Sequence, residues 1–134
     1  MPLCGGDGDA EGRGLIGTHL LGQCGSESLG FSPYSGTGGQ SDFVCAANRS
    51  RGGKAFIVFP STAKNDSVSR IVPVFSPGTH VSTSKNDINY VVTEYGVAKL
   101  RGKSAGQRAR ELIGIAHPDF RGELMEQAGR MGIL

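Results

Sequence analysis

The stretch Gly52-Gly53-Lys54-Ala55-Phe56-Ile57-Val58-Phe59-Pro60 sets five consecutive apolar residues between a glycine pair and a proline. A run this short and this apolar, closed by turn residues at both ends, reads as a strand buried on both faces, often in a parallel sheet. Two more strands follow it. Ile71-Val72-Pro73-Val74-Phe75 is one, and Pro73, which has no N–H for the ladder, puts it at an edge or a bulge. Tyr90-Val91-Val92-Thr93 is the other. On the N-terminal side, Phe43, Val44, Ala46 and Ala47 fit one apolar helical face, with Ser41 or Asp42 to cap it and Gly52-Gly53 to end it. Further back, Leu20-Leu21 suits a short strand, and Gly25–Gly39 reads as a loop by composition, as does the polar run Ser61–Ser69. Two helices close the sequence. Ser104-Ala105-Gly106-Gln107 is a capping box, followed by Ala109, Leu112, Ile113 and Ala116 on one face with Ala105. Pro118 suits a first helical turn, with Asp119 near the positive helix end. Phe120, Leu124, Ala128 and Met131 then recur at helical spacing. Strands alternating with helices and long polar segments indicate an α/β layer fold with a mainly parallel open sheet and flanking helices.

The chain has 134 residues, enough for one small domain. Twelve of its 22 glycines fall in the first 39 residues, so a glycine-rich head precedes an ordinary body. Residues 1–14 offer almost nothing to bury and read as disordered or poorly packed. That start lacks the apolar run of a signal peptide and the arginines of a transit peptide, and no segment reaches the roughly 20 apolar residues of a membrane helix. Cys4, Cys24 and Cys45 form no CxxC pair or Cys/His cluster, which argues against a zinc site or a disulfide framework and for reduced thiols in the cytoplasm. Charge is polarised. Residues 1–48 carry one basic and five acidic side chains, 49–110 eleven and three, and 111–134 two and four. The middle third therefore favours anions, or is simply a solvated surface. Nucleic acid is a poor candidate, because the few aromatics do not interleave with the basic residues and no recognition motif is present.

Two motifs could carry chemistry. Ser35-Gly36-Thr37-Gly38-Gly39-Gln40 runs straight into a helix start. Such a loop exposes backbone N–H groups that suit an anion, a phosphate or an oxyanion, and the helix dipole adds to the pull. It is neither a Walker loop nor GxGxxG, and by itself it is equally an ordinary turn. The second motif is Thr93-Glu94-Tyr95-Gly96, at the C-terminal end of a strand, the edge where open α/β sheets bind ligands. The alternative is a strand-end turn in which Glu94 pairs with Arg101 or Lys103. His19, His80 and His117 stand in unpatterned contexts and read as surface or capping residues, and Cys45 as a small core residue. No metal-ligand set stands out.

In combination these blocks are specific. The runs YSGTGGQSDF, RGGKAFIVFPSTA, SRIVPVFSPGTHVSTSKNDINYVVTEYGVAKLRGKS and ELIGIAHPDFRGEL closely resemble the acetyl-CoA hydrolase/transferase family over roughly residues 20–134. The nearest resemblance is to 4-hydroxybutyrate and butyryl-CoA:acetate CoA-transferases. The resemblance implies a partial, NagB/RpiA-like C-terminal domain at 20–134 behind a divergent head at 1–19. It implies transfer of CoA between an acyl-CoA and a small carboxylate (acetate, butyrate or 4-hydroxybutyrate) through a glutamyl-CoA thioester. Coenzyme A is then the ligand, contacted by Gly36, Gly38, Gly39 and Gln40, with Lys54 reaching its CoA moiety. No metal and no nucleic acid or membrane partner is implied, and a homo-oligomer is compatible with it.

The family's nucleophilic glutamate and an upstream CoA loop precede this region and are not in the sequence. Glu27, in GSESLG, does not match the nucleophile motif. EGRGLIGTH stands where the family has an Asn-Ser-Ala-Leu type strand start. The chain thus resembles the C-terminal quarter of a longer enzyme, cut near Gly5–Gly14 and inactive without the missing region. An acyl-CoA hydrolase, or a non-enzymatic CoA-binding remnant, is the alternative.

Overall fold

The computed structural model describes residues 17–134. Residues 1–16 of the glycine-rich head lie outside the described residues. Along the chain come β1 (Gly17–His19), β2 (Cys24–Gly25), β3 (Ser28–Leu29), β4 (Ser32–Pro33), α1 (Gln40–Arg49) and β5 (Phe56–Val58). There follow β6 (Thr62–Ala63), β7 (Val68–Ser69), β8 (Ile71–Val72), β9 (Tyr90–Thr93), β10 (Gly96–Lys99), α2 (Ala105–Gly114) and α3 (Pro118–Arg130).

The apolar run at 55–59 forms a strand, but it is buried on one face only: Ile57 enters the core while Phe56 and Val58 stay exposed. β5 pairs in parallel with β9, Ile57 opposite Val91, and β10 adds to β9 in antiparallel, giving the order β10-β9-β5. A second three-stranded sheet, β2-β1-β8, again combines one antiparallel and one parallel pair. β8 stops before Pro73 and occupies a sheet edge, as a residue without an N–H requires. The sheets are thus mixed rather than mainly parallel. Two central residues, Glu94 and Tyr95, join β9 to β10, and so short a link closes only an antiparallel pair. Two small hairpins, β3–β4 and β6–β7, complete the strands in stretches that read as loops.

One hydrophobic core joins the layers. Leu20, Ile71, Ile88, Val91, Ala98, Leu100, Leu112 and Leu124 are at most 3% exposed, and Ile57 and Phe59 belong to the same cluster. α2 enters it through Ala109, Leu112 and Ile113, its start fixed by the Ser104/Gln107 capping box. α3 starts at Pro118, with the His117 ring accepting from the Asp119 N–H, and contributes Leu124 and Ala128. Ala105 and Met131, expected on those apolar faces, are exposed, because each lies at the outer end of its helix. α1 departs further. Its N-cap is Gly39 rather than Ser41 or Asp42, only Val44 is buried, and Phe43 lies exposed over Gly39. Cys45 is half-buried, and among the described residues Cys24 is the buried thiol. Gly53 follows the helix where a Cβ would sit 2.0 Å from the Ala47 carbonyl oxygen, so only glycine fits.

β1 lies within the stretch 1–19 set apart as the head, and all three of its residues are buried. The apolar pair Leu20-Leu21 turns instead of extending it. The reason is local: the Thr18 hydroxyl donates to the Gln23 carbonyl at 2.8 Å, and the His19 Nδ1 accepts from the Leu21 N–H at 3.0 Å. The His19 Nε2–H faces the Gln23 Oε1 at 2.5 Å, and the ring stands edge-on to Phe75. Burial lowers the pKa of His19 below 6.5; the Gln23 bond opposes this and the Lys85 charge adds to it.

Two stability outcomes follow from this core. Leu112→Ala should cost about 3 kcal/mol in urea unfolding, whereas truncating exposed Phe43 should cost well under about 1 kcal/mol. For His19 the neutral ring is the folded form, so the unfolded chain takes up its proton first as pH drops. Stability should be constant above about pH 6.5, the ordinary histidine value, and decline below it. His19→Gln should flatten that slope in urea midpoints measured from pH 7.5 to 5.

Candidate functional site

The glycine motif is an exposed loop between the β3–β4 hairpin and α1. Its first residues are tied down where the N–H groups of Tyr34 and Ser35 donate to the Glu27 carbonyl at 3.1 and 3.4 Å. Gly38 takes a left-handed backbone, φ +59°, which a side chain would strain. Gly39 is the N-cap, with no side-chain capping bond, so the first amides of α1 keep no capping acceptor and Asp42 sits in the first turn. A Cβ at Gly36 or Gly38 would meet nothing within 4 Å, so the outer side of the loop is open.

Gln40 has a different place from its neighbours. Its Oε1 accepts from the Ser26 hydroxyl at 2.7 Å, and its Nε2 donates to the Thr83 hydroxyl at 2.9 Å and lies 3.6 Å from the Cys24 sulfur. The side chain is turned inward and fixes the start of α1 to β2 and to Thr83. Ser41 adds a hydroxyl bond to the Ser82 carbonyl. Lys54 is exposed beyond the other end of α1. A ten-residue helix is about 15 Å long, and Lys54 follows the end of α1 opposite Gly36–Gly39.

Under the loop lies Glu27, set aside in the sequence because GSESLG does not match the nucleophile motif. Glu27 is 8% exposed, its Oε2 is buried without a hydrogen-bond partner, and its Oε1 is 4.0 Å from the half-exposed ring of His80.

The second motif sits at the C-terminal edge of the parallel pair β5–β9. Glu94 does not pair with Arg101 or Lys103; Lys103 is bonded to Glu111 at 2.5 Å. Glu94 instead turns to the end of β5, where its two oxygens accept from the Ser61 N–H at 2.8 Å and the Ser61 hydroxyl at 2.5 Å. Burial raises the Glu94 pKa, but hydrogen bonds from the Ser61 hydroxyl, the Ser61 N–H and the Glu94 backbone N–H lower it, and the carboxyl titrates below its usual 4.5. Beside it the buried Thr93 hydroxyl donates to the Ile115 carbonyl at 2.6 Å, and Tyr95 packs edge-on to His117 with the Arg121 guanidinium 5.5 Å from its ring centre. Ser61 was hidden in a polar run and had no pattern to reveal it. The neighbouring β6–β7 turn is unusual in that Lys64, Asn65 and Asp66 all have left-handed backbones, braced by the Thr62 hydroxyl bond to Asp66 at 2.5 Å.

Among the described residues no cluster of three or more His, Cys, Asp or Glu side chains could hold a metal, and no helix is long and apolar enough to cross a membrane.

Residues 14–128 match the family model described as the acetyl-CoA hydrolase/transferase C-terminal domain. The succinyl-CoA:cyclohexane-1-carboxylate CoA transferase of Geobacter metallireducens is 67% identical over 112 residues, 84% of this chain and 26% of that protein. The 4-hydroxybutyrate coenzyme A transferase of Clostridium kluyveri is 56% identical over 81% of this chain and 25% of its own length. Among solved structures, RipA from Yersinia pestis superposes with a TM-score of 0.82 at 42% identity, over 90% of this chain and 27% of that one. The chain thus spans about a quarter of the length of these relatives.

The Ser61–Glu94 contact gives a direct test. Ser61→Ala removes the hydroxyl bond, so the Glu94 carboxyl should titrate closer to 4.5 by carbon NMR, while the Glu111 carboxyl stays where Lys103 holds it, below 4.5.

Proposed function

This chain belongs to the acetyl-CoA hydrolase/transferase family, and from that premise we propose that it supplies the CoA-binding wall of a CoA-transferase. The observation that carries this reading is the loop Ser35–Gln40, open to solvent at Gly36 and Gly38, uncapped at the start of α1 and clamped from behind.

In this reading the loop N–H groups face a thioester. When a carboxylate adds to the thioester carbonyl, the oxygen takes on negative charge, and fixed N–H donors in a dry site lower the energy of that state. Gly36, Gly38 and Gly39 admit the ligand because they have no side chain in the way. Gln40 contributes its backbone N–H, its side chain being spent on Ser26 and Thr83. The attacking group is a glutamate supplied by the region that precedes this domain in the longer relatives. The glutamate carboxylate displaces the CoA thiolate to give a mixed acyl-glutamyl anhydride. The thiolate then attacks the glutamyl carbonyl, releasing the acyl group as its free carboxylate and leaving a glutamyl-CoA thioester, and an incoming small carboxylate reverses the exchange. Without that glutamate the chain by itself binds but does not turn over. Acyl-CoA is an extended ligand with anionic phosphates far from its thioester. The separation of Lys54 from the loop, together with the basic charge at Arg49 and Arg51, suits its phosphate end. The parallel pairs of the two sheets are the part of the wider, mainly parallel fold that this chain holds, and we place the enzyme in the cytoplasm.

Gly36→Ala is the discriminating substitution. Nothing in the chain opposes its Cβ and its backbone is not left-handed, so folding stability should not change. Calorimetry should show acetyl-CoA affinity falling at least tenfold, and Lys54→Ala should weaken binding several-fold at low salt and less at high salt. Unchanged affinity in Gly36→Ala would reject the loop as the thioester wall. Binding of a random oligonucleotide in place of acetyl-CoA would reject the CoA reading altogether.

A further inference from the structure

The sheet β10-β9-β5 is apolar on both faces, and only one face is covered. The inward row, Ile57–Val91–Ala98, is at most 8% exposed and packs in the core with α2 and α3. The register places two rows on the outward face, Phe56–Tyr90–Lys99 and Val58–Val92–Val97. There Phe56, Val58 and Val97 are 45%, 38% and 57% exposed, and the Phe56 and Tyr90 rings stack at 5.0 Å. A sheet built to meet water alternates apolar and polar residues; one apolar on both sides is built to be covered on both. No element among the described residues covers this face.

We infer that the outward face of β10-β9-β5 is the docking surface for an amphipathic, acidic helix of the polypeptide that precedes this domain in its full-length relatives. Two facts select that occupant. The domain makes up only 25–27% of those relatives, so each carries about three times this length of chain to place against it. The rim at the Phe56–Tyr90 end is basic, with exposed Lys99 and Arg101, which calls for carboxylates on the helix. The inference rests on family membership and not on the thioester reading, and its test uses no CoA.

The probe is the N-terminal three quarters of the Geobacter metallireducens transferase, produced without its own C-terminal domain. The intact chain, the pair Val58→Lys with Val97→Lys, and the control Val81→Lys, which is equally exposed but off the sheet, are each titrated with it by analytical ultracentrifugation. The intact chain and the control should bind one to one, more weakly as salt rises, and the paired variant at least tenfold more weakly. The variant's thermal melt should stay within a few degrees of the parent, because nothing in the chain covers the face. Equal binding by the paired variant, no binding by the intact chain, or a collapsed melt would each overturn the inference. So would a dimer of the intact chain alone that the paired substitution abolishes, which would assign the face to a second copy.

Discussion

The parallel pairing of β5 with β9 is the constraint on which the rest of this domain depends. It joins the chain's most apolar run to the strand that leads into both C-terminal helices. Because the strands run the same way, their C-terminal ends lie side by side, and Ser61 past one meets Glu94 past the other. The same edge carries the Thr93 bond to the Ile115 carbonyl, which ties α2 to the sheet end. An antiparallel arrangement would send the two ends apart and leave Glu94 without the donors that hold its charge.

A second tie, independent of the first, holds the glycine loop. The Gln40 side chain bonds to Ser26 behind it and to Thr83, 43 residues ahead. Thr83 is itself bridged to Cys24. The loop can therefore be rich in glycine and still have one position, since its freedom is confined to Gly36–Gly39 and its ends are anchored. That division suits a site whose backbone must be preorganised yet sterically open.

Much of this was legible in the sequence, and the failures have physical causes. Ala55–Phe59, Tyr90–Thr93, the Ser104/Gln107 box and Pro118 carry local signals, and each lies in the element expected. The two-residue strands of β3–β4 and β6–β7 are too short to show a period, and their turns look like loops because they are loops with a few cross-strand bonds. β10 follows a turn whose residues drew attention to chemistry instead. Phe43 was assigned to a core face by spacing alone, but α1 packs through little more than Val44. The glycine loop was visible by composition. The Gln40 anchor and the Ser61 donor were not, because both are contacts between residues distant in sequence.

The order in which the strands pair has a consequence for how the chain is made. Phe56 must wait for Tyr90, 34 residues later, before its ladder closes, while β9 and β10 need only a two-residue turn. Local hairpins close in microseconds, and long-range parallel pairs close late. On the ribosome, β5 is therefore an apolar segment without a partner for the time it takes to synthesise those residues. During that interval the unpaired strand is open to aggregation.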